Sequence, residues 1–269
     1  QGVYGFAMNL KSPASAMQRS LDPMVERSGG PETGFDFQKG EYDFSFYEPF
    51  ITALKTIFSV DKSAFPGCES LDIDPLRTQF AAGKIGMYIS WAHADPAVYK
   101  NQFPTTQNWG VAQLPTLNGK VYSQAIQPYG GLLITKASKN YDADWKALND
   151  FFYEESFDKA YHEAGMACLL PAKLLSAAKM PELYKGKEED VLGKSDRLWP
   201  ATPDMLNSQA VIVQGNDQYA TFMQMILGGQ NISDGLASLT KRYNEAYQQG
   251  ISNGKGQKVQ IAKFDPANP

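Results

Sequence analysis

"FAAGKIGMYISWAH", residues 80–93, is the stretch on which the reading of this chain turns. Gly83 and Lys84 form a turn that launches Ile85, Gly86, Met87, Tyr88 and Ile89, an apolar run of strand length with one glycine suited to close backbone packing. That pattern predicts a buried strand. The run ends in Ser90 and Trp91, so a core element delivers a large aromatic to its C-terminal end, where the chain has to come out to solvent.

Working outward, "DPLRTQFAAG" predicts a short helix feeding this strand, and "WGVAQLP" (109–115) and "YGGLLITKAS" (129–138) predict two more strands bounded by Gly, Pro or Asn. Near the start, "VYGFAMNL" is another strand candidate. It leads into "SPASAMQRSLDPMVERSGG", a helix with Ser12 as N-cap, Pro13 at its first position, a kink at Pro23 and a glycine pair as terminator. Alternation on both sides of Lys39-Gly40 in "GFDFQKGEYDF" predicts a hairpin, and "SFYEPFITALKTIF" returns to helical spacing.

Further along, "DADWKALNDFFYEESFDKAYHEAG" predicts two helices broken near Glu155 and Ser156. "DMLNSQAVIVQGNDQYATFMQMILGG" and "SDGLASLTKRYNEAYQQG" predict two more with glycine stops. The charged, glycine-bearing stretch 179–201 reads as a solvated connection and as the first candidate for a crossing between lobes. Strands alternating with helices, without an internal repeat, indicate an α/β architecture.

With 269 residues, 43% of them hydrophobic, the chain can bury one large core or two smaller ones. A formal net charge of -4 with scattered Lys and Arg offers no footprint for nucleic acid. No apolar run approaches the ~20 residues of a membrane-spanning helix. The opening "QGVYGFAMNLK" lacks an initiator Met and the pattern of a signal or transit peptide, and carries no information on compartment. Cys68 and Cys168 have neither CxxC spacing nor neighbouring histidines, so no zinc or redox motif is supported; they read as two unpaired thiols, with a disulfide as the alternative.

Enzyme signatures are lacking: no GxSxG elbow, Walker loop, HExxH or GxGxxG occurs. His93 and His162 have no advertised partners for a triad or a metal and read as surface or hydrogen-bonded residues. The adjacent acids Glu154-Glu155 and Glu188-Glu189 point in different directions on a helix and cannot flank one glycosidic bond unaided. Gly130-Gly131 precede an apolar strand, which is the wrong order for cradling phosphate; they serve close packing, or a hinge or ligand approach. Neither catalytic residues, metal nor cofactor is expected.

In order along the chain, "FAAGKIGMYISW", "NWGVAQLPTLNGK", "YGGLLITKASKNYDADWKALNDFFYEESFDKAYHEAGMACLLPA" and "ILGGQNISDGLASLTKRYNEAY" resemble the carbohydrate-type extracellular solute-binding proteins of ABC importers, the maltose-binding-like family. The resemblance implies a periplasmic-binding-protein-like (type II) α/β lobe with a partial second lobe, ligand held in the cleft, and lobes closing over it. It implies a C-terminal portion of a longer receptor: 1–125 as the first part of the second lobe, 126–180 as a segment of the first lobe, 181–199 as a crossing, and 200–269 as the helical completion of the second lobe. Residues 126–180 would pack against first-lobe elements outside this sequence. The implied partners are a carbohydrate ligand and the transmembrane permease subunits of an ABC importer. The implied location is the outer face of the cytoplasmic membrane, as a lipoprotein, or a periplasm, and the full-length protein is expected to be monomeric.

Within that frame Trp91 is expected to be a sugar-stacking platform at the carboxyl edge of the sheet, or else a lid on the core. Ser12 and Pro13 occupy positions where the family places a ligand-contacting acid and its following proline, Ser12 being alternatively a plain N-cap. Gln214, Asn216 and Tyr219 are expected on the middle turns of the helix from Asp204, and Tyr129 with Gly130 on a strand crossing to the first lobe. A ligand-sensing or protein-interaction module on the same fold, and a glycoside hydrolase, are the readings of other classes.

Overall fold

Two strands far apart in sequence meet first: β1 (Tyr4–Ala7) and β4 (Ile85–Tyr88) pair in parallel, with Tyr4 opposite Ile85 and Phe6 opposite Met87. They belong to a computed structural model that describes residues 2–31, 33–91, 95–126, 132–152, 154–166, 172–185 and 196–269. Between these strands come α1 (Pro13–Arg19), α2 (Leu21–Arg27), the hairpin of β2 (Phe35–Asp36) and β3 (Glu41–Tyr42), α3 (Glu48–Lys55) and α4 (Ile73–Ala81). Beyond β4 follow α5 (Asp95–Asn101), β5 (Ala125–Ile126), α6 (Tyr141–Phe152), α7 (Glu155–Glu163) and α8 (Ala172–Ala177). Then come β6 (Arg197–Leu198), α9 (Pro203–Leu206), α10 (Gln218–Ile226) and α11 (Ile232–Ser252). The mixed α/β class is as expected.

Contacts divide the chain into two units, one of Gln1–Ser90, Leu114–Gln127 and Ser195–Pro269, the other of Trp91–Gln113 and Pro128–Lys194. Breaks expected after 125, 180 and 199 compare with breaks after 90, 113, 127 and 194. Residues 91–113 therefore associate with the second unit.

The first unit is organised around an aromatic core. Phe35, Phe37, Tyr42, Phe44, Tyr47, Phe222 and Tyr247 are each at most 2% exposed, and Phe44 meets Tyr47, Phe222 and Tyr243 at centroid distances of 5.8, 6.2 and 5.0 Å. Each fully buried ring contributes about 1.5–3 kcal/mol through burial, which is what holds a two-residue-per-strand hairpin in place. The hairpin loop is a local device: Asp36 Oδ1 accepts from the amides of Gln38 and Lys39 at 2.9 and 3.0 Å, and Gly40 closes it with φ +71°.

Several elements differ from expectation. The helix through Pro23 breaks at Ser20 (φ -123°, ψ -68°), not at the proline, because Pro23 lacks an N–H and its ring opposes the carbonyl four residues back; ending α1 at Arg19 and restarting at Leu21 puts Pro23 in a first turn. β4 is only partly buried, since Met87 is 65% exposed, although Gly86 does pack closely: an added Cβ would meet the Gly5 carbonyl at 3.2 Å. Residues 109–115 form no strand. Val111 packs beside Tyr184 within the second unit and Leu114 packs on the first unit's core, so the run is apolar for side-chain burial and not for strand pairing. Of 129–138, the first three lie outside the described residues and 132–138 form no strand, Leu133 being 90% exposed.

The single helix expected from Asp204 is two, α9 and α10, with an irregular stretch 207–217 between them. Asn207 turns the chain there, its side chain accepting from the Gln209 amide at 2.9 Å and donating to the Lys255 carbonyl at 2.7 Å, and Asp217 recaps α10 by accepting from the Ala220 amide at 2.8 Å. Gly250 does not stop α11, which runs on to Ser252. The stretch 179–201 is not wholly solvated either, because Tyr184 and Trp199 are 0% and 3% exposed; residues 186–195, with Glu188-Glu189, lie outside the described part.

Candidate functional site

Because β1 and β4 run parallel, their carboxyl ends emerge on one edge, the place where open α/β sheets hold ligands. From β1 the chain continues through Met8, Asn9 and Leu10, with Asn9 4% exposed and its Nδ2 3.4 Å from Ser15 Oγ. The turn is fixed by the Leu10 amide on the Cys68 carbonyl at 3.1 Å and the Lys11 amide on the Leu71 carbonyl at 3.2 Å. Ser12 then sits in the N-cap position of α1 with Pro13 opening the helix, yet its side chain makes no capping hydrogen bond. The plain N-cap role is thus not exercised by its hydroxyl, which lies half-buried at the strand edge.

From β4 the chain continues through Ile89 to Ser90, whose Oγ is buried and has no hydrogen-bond partner among the described residues. Trp91 follows, 40% exposed. Sequence reasoning passed over Asn9 and Ser90, although both are the first polar residues after an apolar strand, a signal as plain as the one that singled out Trp91.

The other predicted residues are dispersed. Gln214 and Asn216 are exposed in the 207–217 stretch on either side of Gly215 (φ +81°), and their carbonyls accept from Arg242 Nη1 at 2.8 and 2.6 Å. That corrects the expectation of helical middle turns. Tyr219 stands in the first turn of α10, 7% exposed, and its hydroxyl donates to Asp22 Oδ2 at 2.9 Å while Tyr47 donates to Oδ1 at 3.1 Å. Burial pushes the Asp22 carboxyl from 3.8 up to about 6, with the Tyr219 and Tyr47 hydrogen bonds pulling the other way. The same burial, with the Asp22 charge next, pushes the Tyr219 phenol far above its ordinary range. Tyr129, Gly130, His93 and Cys168 lie outside the described residues.

His162 is fully buried on α7. Cys68 is a buried free thiol that donates to the Phe65 carbonyl at 2.9 Å, and burial raises its pKa. No group of His, Cys, Asp and Glu among the described residues is arranged to hold a metal ion, and no described helix is long and apolar enough to cross a membrane. A surface depression of about 380 Å³, lined by Asp43, Ser45, Glu48, Leu236, Thr240 and Lys241 among others, contains none of the predicted residues. The strand edge thus offers small neutral polar groups and, next in sequence, one part-exposed indole. Hydroxyl-bearing, uncharged ligands match such groups, each of which both donates and accepts or stacks.

No family model matches the chain, and no curated protein matches it. Solved structures do. A sugar transporter protein from Bacillus licheniformis in complex with stachyose is similar over 91% of this chain and 62% of its own, with TM-score 0.59 and 15% identity. A binding protein from Bacillus subtilis in an open conformation is similar over 93% and 61%, with TM-score 0.58 and 14% identity. An ABC transporter solute-binding protein from Thermotoga lettingae bound with α-D-tagatose is similar over 91% and 60%, with TM-score 0.64 and 12% identity. The chain spans about three fifths of the length of these structures, and over that span it has their fold.

Proposed function

We propose that this chain, which carries the fold of sugar-binding ABC transporter solute-binding proteins, is part of such a receptor: it captures a sugar or oligosaccharide reversibly in a cleft between lobes and presents it to a membrane permease. The observation that carries the reading is the fold match over 91–93% of the chain to structures of which two hold a sugar. Supporting it, polar and aromatic residues without net charge follow the parallel strands, where a sugar needs hydroxyl partners beside an apolar plane.

In this reading Trp91 is the stacking platform, Ser12 and Ser90 are hydroxyl partners, and Pro13 holds Ser12 at the edge. Gln214, Asn216, Tyr129 and Gly130 are outer contacts. Tyr219 is not a contact in this reading, because its ring is buried in the core and its hydroxyl is engaged with Asp22. The receptor works outside the cytoplasmic membrane, lipid-tethered or periplasmic, as a monomer. Of the segment 126–180, residues from Pro128 on fall in the second unit and belong in this reading to the first lobe, where the remainder of a longer receptor covers side chains such as Leu133, Trp145 and Phe151, now 90%, 51% and 59% exposed.

A thermal-shift screen of the intact receptor against mono- and oligosaccharides tests this, because a ligand that binds only the native state stabilises it by about 2.7 kcal/mol at a hundredfold excess over Kd. One or more sugars should raise the midpoint with no product formed. A panel including stachyose and tagatose that leaves the midpoint unmoved, or turnover of a glycoside, would overturn the proposal.

A further inference from the structure

The first unit's chain passes into the second after Gln127 and comes back at Ser195, and the segments on its own side of those points pair as β5 and β6, with Ala125 opposite Arg197 and Ile126 opposite Leu198. Such a two-residue parallel pair is far too short to hold itself. What holds it is Arg27, at the end of α2. Its Nη1 and Nη2 donate to the two Asp196 oxygens at 2.5 and 2.8 Å, and also reach the Tyr122 carbonyl at 3.4 Å and Gln124 Oε1 at 3.3 Å. Every one of these partners lies on one or other of the two junction segments.

Asp196 answers in kind, accepting from the Gln124 amide at 2.9 Å. Ser123 Oγ adds a second cross-tie by accepting from the Arg197 amide at 2.8 Å and from Trp199 Nε1 at 3.3 Å. Both members of the ion pair are buried, with side chains 9% and 7% exposed.

A buried ion pair is weak grounds for stability, since apolar replacements of like volume are often neutral or better. Fixing one geometry is what a bidentate guanidinium does well. We propose that Arg27 and Asp196 form a positioning clamp, which sets the register of the two junction segments against α2 instead of contributing net stability. In a receptor that closes over a sugar, the clamp keeps flexure out of residues 122–126 and 196–199, a consequence that rests on the reading above.

Amide exchange in the purified protein decides the matter without any ligand, using Arg27→Met and the double variant Arg27→Met/Asp196→Leu, together with urea unfolding of each. The readout is the Arg197 amide, whose acceptor is Ser123 and not the altered carboxylate. The clamp predicts that this amide exchanges at least about tenfold faster in both variants, although the double variant recovers the unfolding midpoint lost in the single one. Exchange at Arg197 within about threefold of the unaltered protein in the double variant would overturn the proposal, as would an equal rise at Phe6 and Met87, which reports global loosening. Failure of every sugar to bind would remove the receptor reading and leave this result untouched.

Discussion

Asp22 is a carboxyl between two phenols, and its titration sets a pH dependence that can be worked out beforehand. Unfolded, the group titrates at 3.8; folded, burial holds it at about 6 against the opposing hydrogen bonds from Tyr219 and Tyr47. Between those values the folded state binds the extra proton, so stability gains as pH falls through 6 and the gain is complete below 3.8. The step from 3.8 to about 6 corresponds to roughly 3 kcal/mol, of which about 2 kcal/mol should be in hand at pH ~4.5. Asp22→Asn removes the titration while retaining both contacts, because the amide accepts from one phenol and donates to the oxygen of the other. Urea unfolding of both proteins at pH ~7 and ~4.5 isolates the contribution of Asp22, since the other carboxyls are common to both proteins and cancel in the difference. The unaltered protein should gain about 2 kcal/mol relative to Asp22→Asn on acidification. Parallel curves, or a gain of opposite sign, would show that Asp22 is not held as described.

The other predictions are shorter. Trp91→Ala should weaken sugar binding by about 1–3 kcal/mol while leaving the ligand-free unfolding midpoint nearly unchanged, as fits an indole 40% exposed; a stability loss of roughly 3–5 kcal/mol with unaltered affinity would make it a packing residue. Ser12→Ala should cost less than the ~1 kcal/mol typical of an N-cap, because its side chain makes no cap bond, and thermal unfolding at that larger cost would reverse the assignment. Gly250→Ala should destabilise by about 2 kcal/mol or more, where an open helical site would gain from the change. Its Cβ would fall 2.0 Å from the Ala210 carbonyl, and a neutral or stabilising result would refute that packing.

What was legible in the sequence tracks how local the determining physics is. The hairpin at Lys39-Gly40 was readable because alternation and turn chemistry lie within eight residues of each other, Phe35 to Tyr42. β1 and β4 were readable as strands, but their pairing joins residues some eighty positions apart and rests on a glycine approach that no window contains. Gly250 illustrates the opposite failure. At the end of a periodic stretch it has the form of a terminator, whereas its purpose is to let the 207–217 stretch lie against α11, a tertiary requirement that overrides propensity.

The site residues divide along the same line. A residue soon after a short strand inherits its location from the strand register, so the stretches carrying Ser12 and Ser90 follow the carboxyl ends of β1 and β4 once the strands are recognised, although of these two only Ser12 was singled out as a site residue. A residue on a helix inherits its direction from the helix phase, which advances about 100° per residue, so an error in the start rotates every side chain out of place. Gln214, Asn216 and Tyr219 were assigned to a helix begun at Asp204, whereas Asp217 caps a new one at Gln218. That places the first two in a loop held by Arg242 and turns the phenol of Tyr219 inward to Asp22. The corrective signal was present as an Asp whose side chain reaches the amide three residues on. A run of apolar residues on both sides, "AVIV" and "YATFMQMI", hid it, because helical periodicity and the irregular burial of a loop look alike until the cap is weighed.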